Sequence, residues 1–176
     1  MQLVDNNFEP DKLESFFITH LNRIYCAKLH LAKRLPEIEN AANFSDLQNA
    51  IVETISEVEK QIARMHEIYE LLNAEISIES HKGLTGLIED AFIAMQQESK
   101  DPLLRDMSIL FYMQNIESVE MTSFQVLQVA AIKLKNDEIK NLLQENFEAA
   151  KTSRSLLLLI TAKYIAGKMP GDQSLK

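Results

Sequence analysis

Apolar residues recur at three- and four-residue spacing along four long stretches of the chain, the pattern of amphipathic α-helices. The first stretch begins at Pro10 and is expected to stop near Pro36, with residues 37–42 as a short kinked continuation. The second begins at Ser45, where the Ser45-x-x-Gln48 spacing predicts a capping box in which the two side chains satisfy backbone N–H groups. The first half of the chain therefore predicts two long helices.

The second half of the chain continues the helical pattern after a break. Residues 75–83 lose the period and predict a loop, and residues 84–97 predict a shorter helix. Asp101-Pro102 pairs a helix-capping side chain with a proline suited to a first turn, and Asn136 predicts the cap of a last helix that ends at Gly167. These elements are the components of an all-α four-helix bundle with one extra shorter helix.

Length and composition agree with one helical domain. The chain has 176 residues with only four glycines and four prolines, too few turn formers for an all-β protein. No linker or repeat divides the pattern, so we expect a single domain over residues 1–167 and a disordered tail over residues 168–176. No apolar run approaches the roughly 20 residues of a membrane span.

Charge and targeting features restrict the partners. The 26 acidic and 18 basic residues give a net charge of −8, and the basic residues do not cluster, which argues against nucleic acid and anionic membranes as partners. The first nine residues lack the apolar stretch of a secretory signal. The single cysteine, Cys26, cannot form an internal disulfide, so we expect a cytoplasmic protein.

Charged residues lie on stripes that an ordinary bundle would keep apolar. Lys28 lies between Ile24 and Leu31 on the first helix, Glu117 lies on the stripe of the fourth helix with Glu120 one turn further, and Glu57 borders that of the second. An uncompensated charge in a core costs several kcal/mol. Inward charges at mid-helix on several helices are the arrangement with which ferritin-like proteins bind two metal ions.

Several segments, in unbroken order over about residues 12 to 165, resemble the YciE/YciF stress-response family of ferritin-like helical proteins. They are Ile24-Tyr25-Cys26-Ala27-Lys28 with Leu31, Leu35-Pro36 and Ala41-Ala42; Gly86-Leu87-Ile88-Glu89-Asp90-Ala91; Asp106 with Gln114, Glu117 and Glu120; and Leu142-Leu143 with Glu148. The resemblance implies a ferritin-like four-helix bundle, a homodimer and an association with stress response. It also implies a metal site built from side chains of several helices.

The chain departs from this family at positions where relatives carry ligand-type residues. It has Lys28 in place of Glu, Thr54 in place of His, Ser118 in place of His, Ala149-Ala150 in place of Glu-Glu, and Arg154 in place of Asp. The resemblance leaves four carboxylates of the implied site, namely Glu57, Glu89, Glu117 and Glu120.

These departures predict a vestigial site without metal or other cofactor. A dinuclear iron or manganese centre needs about six carboxylate and imidazole ligands from four helices. A protonated lysine has no lone pair and repels a cation, so Lys28 cannot be a ligand. We expect the Lys28 ammonium to lie within salt-bridge distance of Glu57 or Glu120. The alternatives are that Glu57 or Glu120 is solvated at a bundle edge, and that Lys28 extends along its helix so that its ammonium group reaches solvent.

Other reactive residues form no recognisable set. His20, His30, His66 and His81 lack ligand spacing, Cys26 is expected to be a buried inert thiol, and no catalytic triad is present. The sequence therefore favours a non-catalytic, structural or interaction protein, and the resemblance implies that it is a homodimer. The alternative is a metal-binding oxidoreductase or storage protein that uses iron or manganese on the four remaining carboxylates.

Overall fold

The computed structural model describes residues 9–77 and 82–167, which form five α-helices. They are α1 (Pro10–Ala41), α2 (Ser45–Leu72), α3 (Lys82–Gln97), α4 (Pro102–Leu134) and α5 (Asp137–Ala166). The all-α class expected from the sequence is confirmed. His81 and the predicted tail at residues 168–176 lie outside the described residues.

Helix ends follow the predicted capping residues in the second half of the chain. The Asp101 carboxylate accepts hydrogen bonds from the backbone N–H groups of Leu103 and Leu104, and the Asn136 side chain accepts one from Ile139. Gly167 ends α5 at a φ of 69°, a left-handed conformation that glycine adopts without steric cost.

Two predicted boundaries differ from the structure. Helix α1 does not stop near Pro36 but continues through it to Ala41, because Leu35 and Ile38 keep its apolar face buried on both sides of the proline. The side-chain amide of Asn40 donates a hydrogen bond to the Pro36 carbonyl in this last turn. Helix α3 begins at Lys82, two residues before the predicted start.

The capping box predicted at the start of α2 is wrong, although the helix begins at Ser45. The residue at the capping position is Phe44, and its side chain makes no capping hydrogen bond, while the Gln48 amide donates to the Ala42 carbonyl. The fully buried Asp106 of α4 instead accepts hydrogen bonds from the backbone N–H groups of Asn43 and Phe44, at 2.7 and 2.5 Å. A distant carboxylate thus performs the role that local side chains were expected to have.

Each long helix runs antiparallel to the two long helices that it contacts. Helix α1 packs against α2 and α4, and α5 packs against the same two helices. The early residue Phe17 of α1 belongs to one cluster with Met65 late in α2 and Phe124 late in α4, so α2 and α4 both run opposite to α1. The connection from α2 to α4 therefore spans the bundle length and carries α3, as in ferritin-like folds with one long crossover.

The core divides into two apolar clusters, one at each end of the bundle. The cluster at the α1–α2 turn includes Leu31, Leu35, Ile51, Leu110 and Leu157. The cluster at the opposite end includes Leu21, Met65, Phe124, Ile139 and Leu143. None of the described helices combines the length and apolar character needed to cross a membrane.

Candidate functional site

A layer of buried polar side chains separates the two apolar clusters, and we call it the polar layer. Its members come from all four long helices: Lys28 of α1, Gln61 of α2, Glu117 and Glu120 of α4, and Asn146 of α5. All five are buried, with at most 2% of the residue surface exposed.

Helical spacing places these side chains inside the bundle. Lys28 follows Ile24 by four residues and precedes Leu31 by three, and both neighbours are core residues. Glu117 and Glu120 likewise lie between Met113 and Phe124 on the buried face of α4. Residues three and four apart share a helix face, so the core neighbours carry the charged residues into the interior.

An ion pair between α1 and α4 is the central contact of the polar layer. The Lys28 Nζ atom contacts Oε2 of Glu120, and the two side chains are 0% and 1% exposed. This contact confirms the expected pairing of Lys28 with one of the two named glutamates. Complete burial excludes both the snorkelling lysine and the solvated Glu120.

The second carboxyl group of α4 changes the charge balance of this pair. Burial and the nearby Glu120 charge raise the pKa of Glu117 to about 8, although the Lys28 charge opposes this rise. Burial also raises the pKa of Glu120, while Lys28 and a hydrogen bond from Glu117 oppose that rise. At neutral pH Glu117 is therefore protonated and donates to Glu120, the carboxyl group that the Lys28 ammonium contacts.

Amide groups form the α2–α5 side of the polar layer. The Gln61 side-chain amide donates to the Asn146 carbonyl at 3.2 Å, and the Asn146 amide donates to the Gln61 carbonyl at 3.4 Å. Arg64 donates from Nη1 to Asn146 Oδ1 at 3.2 Å and from Nε to Glu145 at 2.8 Å. These contacts tie α2 to α5 through uncharged groups inside the bundle.

Two of the four carboxylates predicted for a vestigial site lie elsewhere. The Glu57 side chain is 32% exposed and pairs with Lys60 at 2.6 Å. The Glu89 side chain of α3 is 45% exposed and contacts His30 at 2.5 Å and Arg34 at 3.3 Å. His30 and Arg34 hold the pKa of Glu89 below its ordinary value. Glu57 therefore lies at the edge of the bundle, which was the alternative position considered for it. Glu89 links α3 to α1.

Other positions that the resemblance singled out have the following contacts. Arg154 donates from Nε to the Ser118 hydroxyl at 2.8 Å, and this contact joins α5 to α4. The buried Thr54 donates its hydroxyl to the Ala50 carbonyl of its own helix. Ala150 is fully buried and adds no polar group to the interior.

The described histidines do not join the polar layer through any observed contact. His66 shares a 2.6 Å hydrogen bond with the Tyr25 hydroxyl, and His20 packs on the Phe16 ring with centroids 4.3 Å apart. Cys26 is buried, and its thiol donates to the Ser77 carbonyl at 3.5 Å.

The residues of the polar layer do not fit a dinuclear metal centre. Its only carboxylates come from one helix, and the ammonium of Lys28 contacts one of them. Such centres need carboxylates and imidazoles from several helices, whereas α2 and α5 contribute the side-chain amides of Gln61 and Asn146 to the layer. Over the described part of the chain, no three His, Cys, Asp or Glu side chains are grouped so that they could hold a metal ion.

Sequence reasoning identified neither Gln61 nor Asn146 as a member of the site. Both follow the spacing of buried residues: Gln61 lies between Val58 and Met65, and Asn146 lies between Leu143 and Ala150. A search for uncharged polar residues on the apolar stripes would have found both.

Fold and site together define a bundle of four long helices whose mid-bundle polar layer is unsuited to a dinuclear metal centre. The family model described as a domain of unknown function, DUF892, matches residues 12–168. The chain therefore belongs to this family, in agreement with the resemblance seen in the sequence.

Named relatives show the same relationship. Protein YciF of Escherichia coli strain K12 is 27% identical over 142 residues, which are 80% of this chain and 85% of the relative. The structure of the E. coli stress protein YciF matches with a TM-score of 0.83 at 25% identity, over 89% of this chain and 98% of that one. YcfI of Rhodopseudomonas palustris, for which a structural role has been suggested, matches with a TM-score of 0.79 at 24% identity, over 90% and 98% of the two chains, and supports the fold alone.

The protonated Glu117 predicts a pH-dependent stability. The folded protein keeps a proton that the unfolded chain releases near the ordinary pKa of 4.5, so the free energy of unfolding should fall as pH rises from about 5 to about 8. One proton contributes a slope of up to about 1.4 kcal/mol per pH unit. Urea unfolding across this range should show a flatter profile for Glu117→Gln, whose amide still donates to Glu120.

Glu57→Gln is the matched control, because it removes one carboxylate from a partly exposed site on α2. Its profile should have the wild-type slope. Equal slopes for Glu117→Gln and the wild type would contradict a proton held on Glu117.

The Lys28–Glu120 pair predicts a large cost for losing one partner. Lys28→Met should lower the free energy of unfolding by about 3 to 5 kcal/mol, because it leaves a buried carboxylate without its cation. Lys28→Met combined with Glu120→Gln should recover much of this loss, because the whole pair is then replaced by neutral groups. Urea unfolding at pH 7 measures both effects.

Lys60→Met is the control for loss of a lysine paired with a glutamate at the surface, and it should cost less than about 1 kcal/mol. A Lys28→Met protein that unfolds at the same urea concentration as Lys60→Met would refute the central role of the buried pair.

Proposed function

We propose that this protein is a non-catalytic helical bundle in which a buried ion pair replaces the metal centre. It acts in the cytoplasm as a structural or interaction protein, in a process linked to stress. The observation that carries the proposal is the contact between the fully buried Lys28 ammonium and the Glu120 carboxylate.

Electrostatics support this exchange of a metal for an ammonium group. A divalent ion placed near the polar layer would be repelled by Lys28, and this repulsion is large in a low-dielectric interior. Such an ion would also have to displace the proton of Glu117, whose pKa is raised by burial. The existing lysine and proton leave the layer close to neutral without any metal.

The second candidate function is metal binding on the four retained carboxylates. It requires Glu57 and Glu89 to leave their present partners and approach α4. Glu89 contacts two cationic or basic groups on α1, and Glu57 contacts the ammonium of Lys60. These contacts favour the first function, and metal analysis separates the two.

The descriptions of two relatives support the structural role and the link to stress. The E. coli match is described as a stress protein and the R. palustris match as one with a suggested structural role. Neither description names a catalysed reaction, so both are compatible with a bundle that works through its shape and surface.

We further propose that the protein forms a homodimer through the outer face of α4. From residue 107 to residue 132 the only charged residues are Glu117 and Glu120, and both are buried. Phe111 and Val129 on this helix are 62% and 66% exposed. Interface centres are depleted of charged residues and enriched in aromatic ones, which this face resembles.

The metal proposal predicts a low metal content. Protein purified from cells grown with added iron and manganese should hold less than about one ion per chain, because two carboxylates on one helix cannot supply the roughly six ligands required. Elemental analysis measures this content. Lys28→Glu combined with Gln61→Glu places carboxylates on α1 and α2 and should raise it.

Near-stoichiometric iron or manganese in the wild-type protein, together with iron-dependent oxygen uptake, would refute the proposal and support the metal-binding alternative. The substituted protein, if it retains metal, also shows that the purification does not strip bound ions.

The dimer proposal predicts twice the chain mass in light scattering at micromolar concentrations. Phe111→Asp should shift the mass toward the monomer, because a charge is placed on the apolar face of α4. Val52→Asp alters an apolar residue of α2 that is 50% exposed and should leave the dimer intact. A monomer mass for the wild type throughout this range would contradict the proposal.

A further inference from the structure

A concave groove lies between α1 and α4 beside the first turn of α3. Farther along the bundle, Ile88 and Phe92 of α3 pack into the apolar cluster that contains residues of α1 and α4. Described residues of α1, α4 and the first turn of α3 line a cavity of about 620 Å³. This volume lies within the range of small-molecule sites, about 300 to 1,000 Å³.

The groove has apolar walls. Phe16 and Ile24 contribute from α1, Val126 and Leu127 from α4, and Leu84 closes the end at α3. Serine and threonine residues of α4 also line it, and the Ser123 hydroxyl is already used in a hydrogen bond to the Val119 carbonyl of its own helix.

One side of the groove carries a cation. Arg23 is exposed, lines the cavity and has no ion-pair partner among the described residues, and none of the described residues that line the cavity is acidic. His20 lies beside it, and burial together with the Arg23 charge lowers the pKa of this imidazole. The imidazole is therefore neutral at pH 7 and leaves its polar nitrogens for hydrogen bonding.

An unpaired guanidinium is informative in a chain with a net charge of −8. Several arginines elsewhere pair with carboxylates, as Arg34 does with Glu37 and Arg64 does with Glu145. A cation beside apolar walls complements a ligand that has an anionic group and an apolar tail.

We propose that this groove binds a medium-chain monocarboxylate. The carboxylate pairs with the Arg23 guanidinium, and the hydrocarbon chain lies along the apolar walls toward Phe16. Phe16 and Ile24 are eight residues apart on α1, which corresponds to about 12 Å of helix and to a chain of about ten carbons. This site is separate from the polar layer, and its α4 wall adjoins the face proposed for the homodimer.

Calorimetric titration with decanoate tests the proposal. We expect saturable binding of one decanoate per chain and about tenfold weaker binding of octanoate, because two methylene groups leave the apolar walls. Decylamine, with the same chain and the opposite charge, should not bind measurably. Arg23→Gln should weaken decanoate binding at least fivefold, whereas Lys33→Gln, a change at an exposed cation of the same helix, should have no effect.

A second pair of variants tests whether the hydrocarbon chain of decanoate lies in the groove. Ser123→Phe fills the groove with a ring and should abolish decanoate binding. Ser155→Phe is the matched control, because Ser155 is exposed on α5 and its hydroxyl also donates to a carbonyl of its own helix. This control should bind like the wild type, and circular dichroism should show both variants folded.

Three results would overturn the proposal. The first is no saturable binding of decanoate by the folded wild-type protein. The second is binding of decylamine as tightly as decanoate, which would mean that Arg23 selects no anion. The third is conversion of a dimer to a monomer by Ser123→Phe without decanoate binding, which would make the groove a contact between copies of the chain.

Discussion

The buried pair of Lys28 and Glu120 is the interaction on which the interior of this bundle depends. Charges from α1 and α4 meet without solvent between the two apolar clusters, and neither charge is tolerable there without the other. The neighbouring Glu117 is accommodated because it keeps a proton and donates a hydrogen bond. On the opposite side, Gln61 and Asn146 satisfy backbone groups without adding charge. The layer combines an ion pair, a neutral acid and two amides in one cross-section.

This composition shows how polar side chains alone can join the four long helices across the interior of the bundle. A metal centre holds helices together because each supplies a ligand to a shared ion. Here α1 and α4 are joined by an ion pair, and α2 and α5 by paired amides. The inward polar contacts of the four long helices therefore join them in two pairs, and no single group is shared by all four.

Much of the fold follows from local patterns, while the site depends on contacts between distant residues. The spacing of apolar residues and the caps at Asp101 and Asn136 predicted the number and order of helices because these features act within one or two turns. The pairing of Lys28 with Glu120 could be predicted from the sequence because both residues lie on apolar stripes. Glu57 could not be placed, because a residue at the border of a stripe can face either way. The exact set of inward polar residues depends on helix rotation, which packing determines.

The carboxylate of Asp106 has a consequence for the order of folding. It accepts hydrogen bonds from backbone N–H groups of the α1–α2 turn. Asp106 lies more than sixty residues later in the chain than this turn, and α3 lies between them. The α1–α2 hairpin is therefore left with exposed amide donors until α4 docks, despite its short and local connection. Completion of this turn belongs to a late, long-range step, which couples the two halves of the bundle into one cooperative unit.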